Sequence, residues 1–168
     1  MRQILVLLAV VTCTASTVSA LEPHNAAAAG KSRISACALL TEDLVTKFDT
    51  TPSHLRHSGV LRQFKPTEEP VGPNGSYCDD GQIGLQVNPF SRADELRKSP
   101  GKDWQPVSGV GDTAFFRNNR DQYAELMVWT GPHHFTIQLS VPVGGTADSI
   151  KSNVIGLANG IIPKLRGQ

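Results

Sequence analysis

Hydrophobic and polar positions alternate most cleanly over residues 134–141, where Phe135, Ile137, Leu139 and Val141 are separated by Thr136, Gln138 and Ser140. Successive side chains of a strand point to opposite faces, so this period of two predicts a strand with one buried face. Residues 82–88 repeat the pattern, with Ile83, Leu85 and Val87 set between Gln82, Gly84, Gln86 and Asn88. Two further strands are predicted over 113–117 and 122–129, joined by Asn118-Asn119-Arg120-Asp121 and followed by a Gly131-Pro132 turn. A short strand over 77–79 meets residues 82–88 through an Asp80-Gly81 turn. The period then changes. Ile150, Val154, Leu157, Ile161 and Leu165 recur at helical spacing, which predicts a closing helix from about Ala147 with Thr146 as its cap. Pro163 should end or kink its last turn.

Upstream, Thr41-Glu42-Asp43 predicts a helix start, with a hydroxyl at the cap and two acids in the first turn. Leu44, Val45 and Phe48 would face the core. Ser91-Arg92-Ala93-Asp94 predicts a short helix to Lys98, stopped by Pro100-Gly101. Residues 55–64 are expected to form a strand kinked at Gly59, and 66–75 an exposed loop with an Asn74-Gly75 turn. Adjacent antiparallel strands with helices at the ends give an α+β fold. It would hold a sheet of about five strands, with N-terminal, short middle and C-terminal helices packed on one face. The opposite face, carrying Gln82, Gln86, Thr136 and Gln138, would be solvated.

The first twenty residues change where this domain is expected to work. Arg2 precedes an unbroken apolar run from Ile4 to Val11, and Val18-Ser19-Ala20 supplies the small residues of a signal peptidase site. The run is too short to span a bilayer, which takes about 20 residues of helix. Residues 1–20 therefore predict a signal peptide cleaved after Ala20. Residues 21–34, with Ala26-Ala27-Ala28-Ala29-Gly30, predict a flexible tether, and 35–168 a single domain. The protein is expected to be secreted or periplasmic. Lipid anchoring at Cys13 is the weaker alternative, because Thr12 stands where a lipobox carries Gly, Ala or Ser.

Charge narrows the partners. With 16 basic against 15 acidic residues, and no run of like charge beyond a pair, the chain lacks the concentrated positive surface of a nucleic-acid binder. No transmembrane segment is predicted, and a monomer is expected. Only Cys37 and Cys78 would survive cleavage. In an oxidising compartment two such cysteines pair, and neither has a His or second Cys at metal-ligand spacing. Closing that loop would stabilise the fold by roughly 4 kcal/mol in the chain-entropy model.

Candidate chemistry is sparse, and each feature has a plainer alternative. Gly109-Val110-Gly111-Asp112 precedes a strand instead of opening a helix, so a tight turn outweighs a phosphate cradle. His133 and His134 sit at a hairpin tip, where adjacent side chains point to opposite faces and do not readily share one metal. His54 and His57 lie between Pro52 and Gly59, as in a solvated loop. Asp79-Asp80 and Glu68-Glu69 are neighbouring loop carboxylates, not an acid–base pair held across a cleft. Gly-x-Ser-x-Gly is missing as well. Trp104 lies in a loop, where a ring either folds over the core edge or anchors a ligand. No catalytic residue, metal or cofactor is assigned. Trp104, His133 and His134 are the candidate binding residues.

Three motifs occur in order: Ala36-Cys37-Ala38-Leu39-Leu40-Thr41-Glu42-Asp43, a second cysteine at a hairpin, and Val107-Ser108-Gly109-Val110-Gly111-Asp112-Thr113-Ala114-Phe115-Phe116. With the apolar terminal helix, they resemble a group of small exported bacterial proteins, some lipid-anchored, classed as domains of unknown function. Those proteins end the first helix with Leu-Gly, where this chain has Lys47-Phe48-Asp49. The resemblance implies an envelope location and a helix–meander fold, and carries no catalytic residue. The expected function is a non-catalytic binding or interaction domain of the cell envelope, with a protein or envelope component as partner. A small hydrolase and a purely structural envelope protein are the alternatives.

Overall fold

The computed structural model describes residues 33–48, 64–72, 74–90, 92–120 and 122–168. The expected leader, Cys13, most of the tether, all but the last residue of the strand expected over 55–64 and the His54/His57 pair lie outside them. The described residues form a seven-stranded, wholly antiparallel sheet and four α-helices. In chain order these are α1 (Ala36–Leu39), α2 (Glu42–Phe48), β1 (Thr67–Val71), β2 (Gly75–Asp79), β3 (Ile83–Val87), α3 (Ala93–Lys98), β4 (Gln105–Val107), β5 (Thr113–Asn119), β6 (Tyr123–Thr130), β7 (His133–Ser140) and α4 (Lys151–Arg166). The strand order is β1-β2-β3-β7-β6-β5-β4.

The expected α+β class is observed, with two more strands than about five. Both additions are sheet edges. β1 occupies part of the predicted 66–75 loop and reads Thr-Glu-Glu-Pro-Val, while β4 reads Gln-Pro-Val. An edge strand pairs on one side only, so it tolerates proline and charge that an interior strand excludes. Those residues keep the edge from recruiting another strand, and they also erase the period-two signal.

One face of the sheet carries Ala114, Phe116, Leu126, Val128, Phe135, Ile137, Leu139 and the β3 aliphatics, all buried against the helices. Val154, Leu157, Ile161 and Leu165 of α4 close this core, as their helical spacing predicts. Each such fully buried side chain contributes roughly 1.5–3 kcal/mol. A 3₁₀ turn (Asp148–Ile150) precedes α4, and Thr146 Oγ1 accepts from Ser149 N at 3.2 Å. The helix runs past Pro163 to Arg166. Phe48 and Leu44 of α2 lie on Gly156 and Gly160, where a Cβ would collide with either side chain. The i, i+4 glycines let the two helices approach closely. Cys37 and Cys78 form the expected disulfide, tying α1 to β2 with Cα atoms 5.0 Å apart. No helix among the described residues is long and apolar enough to cross a membrane.

Candidate functional site

β3 and β4 are consecutive in the chain, yet β7, β6 and β5 lie between them in the sheet. The connection, residues 88–104, must therefore cross three strands. It does so over the face opposite α4, because Leu96 and Trp104 meet Gln86, Met127, Thr136 and Gln138, whose alternate neighbours point into the core. Two expectations are corrected by this topology. The second face is not simply solvated, and the middle helix α3 lies on the other side from α1 and α4.

The strap is fastened at its start. Asn88 takes a left-handed turn at φ 48°, donates its N–H to the His134 carbonyl at 2.7 Å, and accepts from His134 N through Oδ1 at 3.2 Å. Asn tolerates that backbone region better than most residues. Phe90 N donates to His134 Nε2 at 3.0 Å, and the Phe90 ring stacks on His134 at 5.4 Å. Only an unprotonated Nε2 can accept that bond, so the proton of the neutral ring belongs on Nδ1. Burial, then the neighbouring His133, lowers the His134 pKa, with Asp94 opposing weakly. At its far end the strap lays the Trp104 ring against the Arg117 guanidinium, 4.6 Å from ring centre to charge.

Strand register builds the floor in rows. Arg117, Glu125, Gln138 and Gly84 are successive cross-strand partners, and Phe115, Met127, Thr136, Gln86 and Tyr77 form the next row. Glu125 is only 1% exposed. Its Oε2 accepts two bonds from Arg117, from Nε at 2.7 Å and from Nη2. Its Oε1 accepts from Asn119 Nδ2 at 3.1 Å and Gln138 Nε2 at 3.0 Å. Four donors thus satisfy a buried carboxylate that would otherwise be costly. The network also fixes Arg117 and Gln138.

Between strap and floor lies a cavity of about 270 Å³, lined among others by Gln86, Leu96, Trp104, Thr136 and Gln138. Thr136 is 8% exposed, and its Oγ1 is buried with no hydrogen-bond partner among the described residues. Trp129 Nε1, deeper under the strap beside His134, is likewise unpartnered. In a second concavity, at the β1 edge, three of the lining side chains are hydrogen-bonded. There Ser35 Oγ donates to Glu68 at 2.9 Å, and Ser76 Oγ bonds Ile34 O and Ala36 N at 2.7 Å each.

Of the sequence-predicted binding residues, Trp104 and His134 share the strap-covered face. Trp104 lines the cavity, whereas His134 fastens the strap beside it. His133 points away from His134 and toward Asn88, Nδ1 to Nδ2 at 3.5 Å. Gly109 and Gly111 take positive φ in a turn feeding β5, and Asp112 N bonds Trp129 O at 2.8 Å. Asp79 and Asp80 cap their own turn through Gly81 N at 2.7 Å and Ile83 N at 2.8 Å. No group of three metal-ligating side chains occurs among the described residues. Sequence reasoning missed Arg117, Glu125, Thr136 and Gln138 as a set. The one available signal was Glu125 inside the apolar run Ala124-Glu125-Leu126-Met127-Val128, eight residues from Arg117 across a hairpin. Comparisons with protein families, curated proteins and solved structures returned no match.

Proposed function

We propose that this chain is an exported, non-catalytic binding domain of the bacterial cell envelope that takes a small ligand, or one end of a larger one, between the 88–104 strap and the sheet. The single observation that supports it most is the strap-covered cavity itself, floored by Arg117, Glu125 and Gln138 held in one network and by Thr136, whose Oγ1 is buried and unpartnered. Buried polar groups are nearly always satisfied, and a Thr136 rotamer change that brings Oγ1 to a ligand in the cavity is one way to satisfy this one. The Cys37–Cys78 disulfide is consistent with a periplasmic or extracellular location. The non-catalytic part rests on the acid–base groups. Glu125 is saturated by four donors, and His134 Nε2 accepts from Phe90 N.

The test is a fragment screen read by amide and indole NMR shifts on the full-length oxidised protein. Perturbations should gather on the Trp104 indole, the Gln86 and Gln138 side-chain amides, and Thr136. Hits scattered over other surfaces, or turnover of a hydrolase substrate abolished by His134→Ala, would overturn the proposal.

A further inference from the structure

The strap lies lightly on the sheet. No side chain of α3 is buried among the described residues. Its far half is held by Trp104 on Arg117 and by Arg97 Nε, which donates to Thr113 Oγ1 at 3.1 Å. At the near end the fastening is one imidazole. Asn88 stays on β7 through the His134 main chain, donating its N–H to the carbonyl and accepting from the amide at Oδ1. Neither bond involves the ring. Pro89 has no N–H, so Phe90 N is the next donor, and it donates to His134 Nε2 at 3.0 Å. The Phe90 ring stacks on that imidazole and also lines the cavity. One residue thus joins a wall of the cavity to the protonation state of His134.

A neutral imidazole accepts a hydrogen bond at one nitrogen, whereas an imidazolium accepts at neither. A proton added at Nε2 would face the Phe90 N–H, donor against donor. Phe90 and Trp129, the cross-strand partner of His134, both stack on the ring, and aromatic faces attract a cation. Stacking does not restore the lost acceptor, however. Burial and then His133 on β7 oppose the charge, and Asp94 in α3 favours it. β6 presents Trp129, and the end of β3 leads to Asn88 and Phe90; none of these titrates. Arg92 and Glu95, in the same part of the strap, pair with each other at 2.7 Å.

Resting on the pocket reading above for what the cavity holds, we infer that His134 is an acid-sensitive latch. Uptake of a second ring proton breaks its bond to Phe90 N, and the Phe90 end of the strap swings about Asn88 and opens the cavity. Below the ordinary histidine value of about 6.5, the open state gains up to about tenfold per pH unit, until His134 titrates within the closed form as well. Acid would thereby discharge whatever the strap covers.

Hydrogen exchange of the full-length oxidised protein, read by NMR from pH 7.5 to 5 and corrected for intrinsic rates, tests the latch without a ligand. Protection of the Phe90 amide should be level above about pH 6.5 and fall up to about tenfold per unit below it. At every pH it should stay well under that of the β6 amides, whose strand is paired on both sides. Equal protection would mean that Phe90 is released only by global unfolding, and would overturn the latch. So would ring nitrogen shifts that place the neutral proton on Nε2, or titration of His134 with Phe90 protection unchanged; both are read on the unaltered protein. His134→Gln should flatten the Phe90 profile and His133→Gln should preserve it, the reverse assigning the pH response to the wrong ring. Non-ionising fragments that shift the Trp104 indole at pH 7.5 should bind up to about tenfold more weakly per unit below pH 6.5. Fragment affinity that ignores pH would overturn the inference. A screen silent at pH 7.5 beside the expected exchange profile would defeat the pocket reading and leave the latch standing.

Discussion

Thr136→Val is the substitution on which the site reading turns, because the binding and structural readings predict opposite signs for it. The Thr136 hydroxyl is buried and unpartnered. Burying such a group costs roughly 1–3 kcal/mol in proteins. Valine keeps the branched shape and puts a methyl in its place, which adds up to about 0.8 kcal/mol of apolar burial. The methyl is larger than the hydroxyl it replaces in a closed position, so the low end applies: a gain of about 1 kcal/mol. For a domain near 150 residues this raises Tm by roughly 2–4 °C. Urea unfolding of the oxidised protein followed by Trp fluorescence measures it, with an unchanged m-value showing that the unfolded state is not altered. Any ligand of the strap pocket should bind the more stable variant less well. A variant that loses stability would mean that the hydroxyl holds a structural bond, and one support for the pocket would be gone.

Other consequences are open to similar measurement. Removing the disulfide with Cys37→Ser and Cys78→Ser together should lower stability by up to about 4 kcal/mol, read as a drop in urea midpoint; a loss below about 1 kcal/mol would mean that α1 and β2 are held by packing alone. Arg117→Met strands the Glu125 carboxylate, whose side chain is 2% exposed against 35% for Arg117. Discounted for that exposure, the cost should be about 2–3 kcal/mol, and Glu125→Gln in the same background should recover most of it in a double-mutant cycle. His134 titrates lower in the folded state than unfolded, so the unfolded chain holds more protons between the two pKa values. Stability should then be flat above the ordinary His value of about 6.5 and fall as pH drops below it, by at most about 1.4 kcal/mol per pH unit. His134→Gln, which keeps an acceptor for Phe90 N, should lack that component between pH 7.5 and 5; equal slopes in the two proteins would rule it out.

The interior strands were legible because their environments differ on the two sides. Phe135, Ile137 and Leu139 face α4 while Thr136 and Gln138 face away, so burial writes a period of two into the sequence. The edges were illegible for a related reason. Pro70 with Glu68 and Glu69, and Pro106 in β4, protect exposed edges by violating the composition that marks a strand. The solvated second face was a topological error, not one of periodicity. A polar row is compatible with water or with a covering segment, and only the placement of β4 beyond β5 sends residues 88–104 across it. Trp104 could be noticed but not placed, since nothing local says which of the two sheet faces a loop will cross.

Where the buried polar groups fall is the better guide to function. Among the described residues five polar or charged ones are buried: Ser76, Glu125, Thr130, His134 and Thr136. On the helix face, Ser76 bonds Ile34 and Ala36, and Thr130 accepts from Arg166 of α4 at 3.0 Å. Both tie neighbouring segments to the sheet. The other three stand under or beside the strap, where Leu, Val and Phe would have fitted the same alternation. A buried ion pair such as Arg117–Glu125 rarely adds stability over well-packed apolar residues of similar volume, and an orphan hydroxyl beside it lowers stability further. A face built only to seat residues 88–104 would lose nothing by becoming apolar. That the polar cost gathers there, with Gln86 and Gln138 at the cavity, is what a binding surface requires and a covering strap does not.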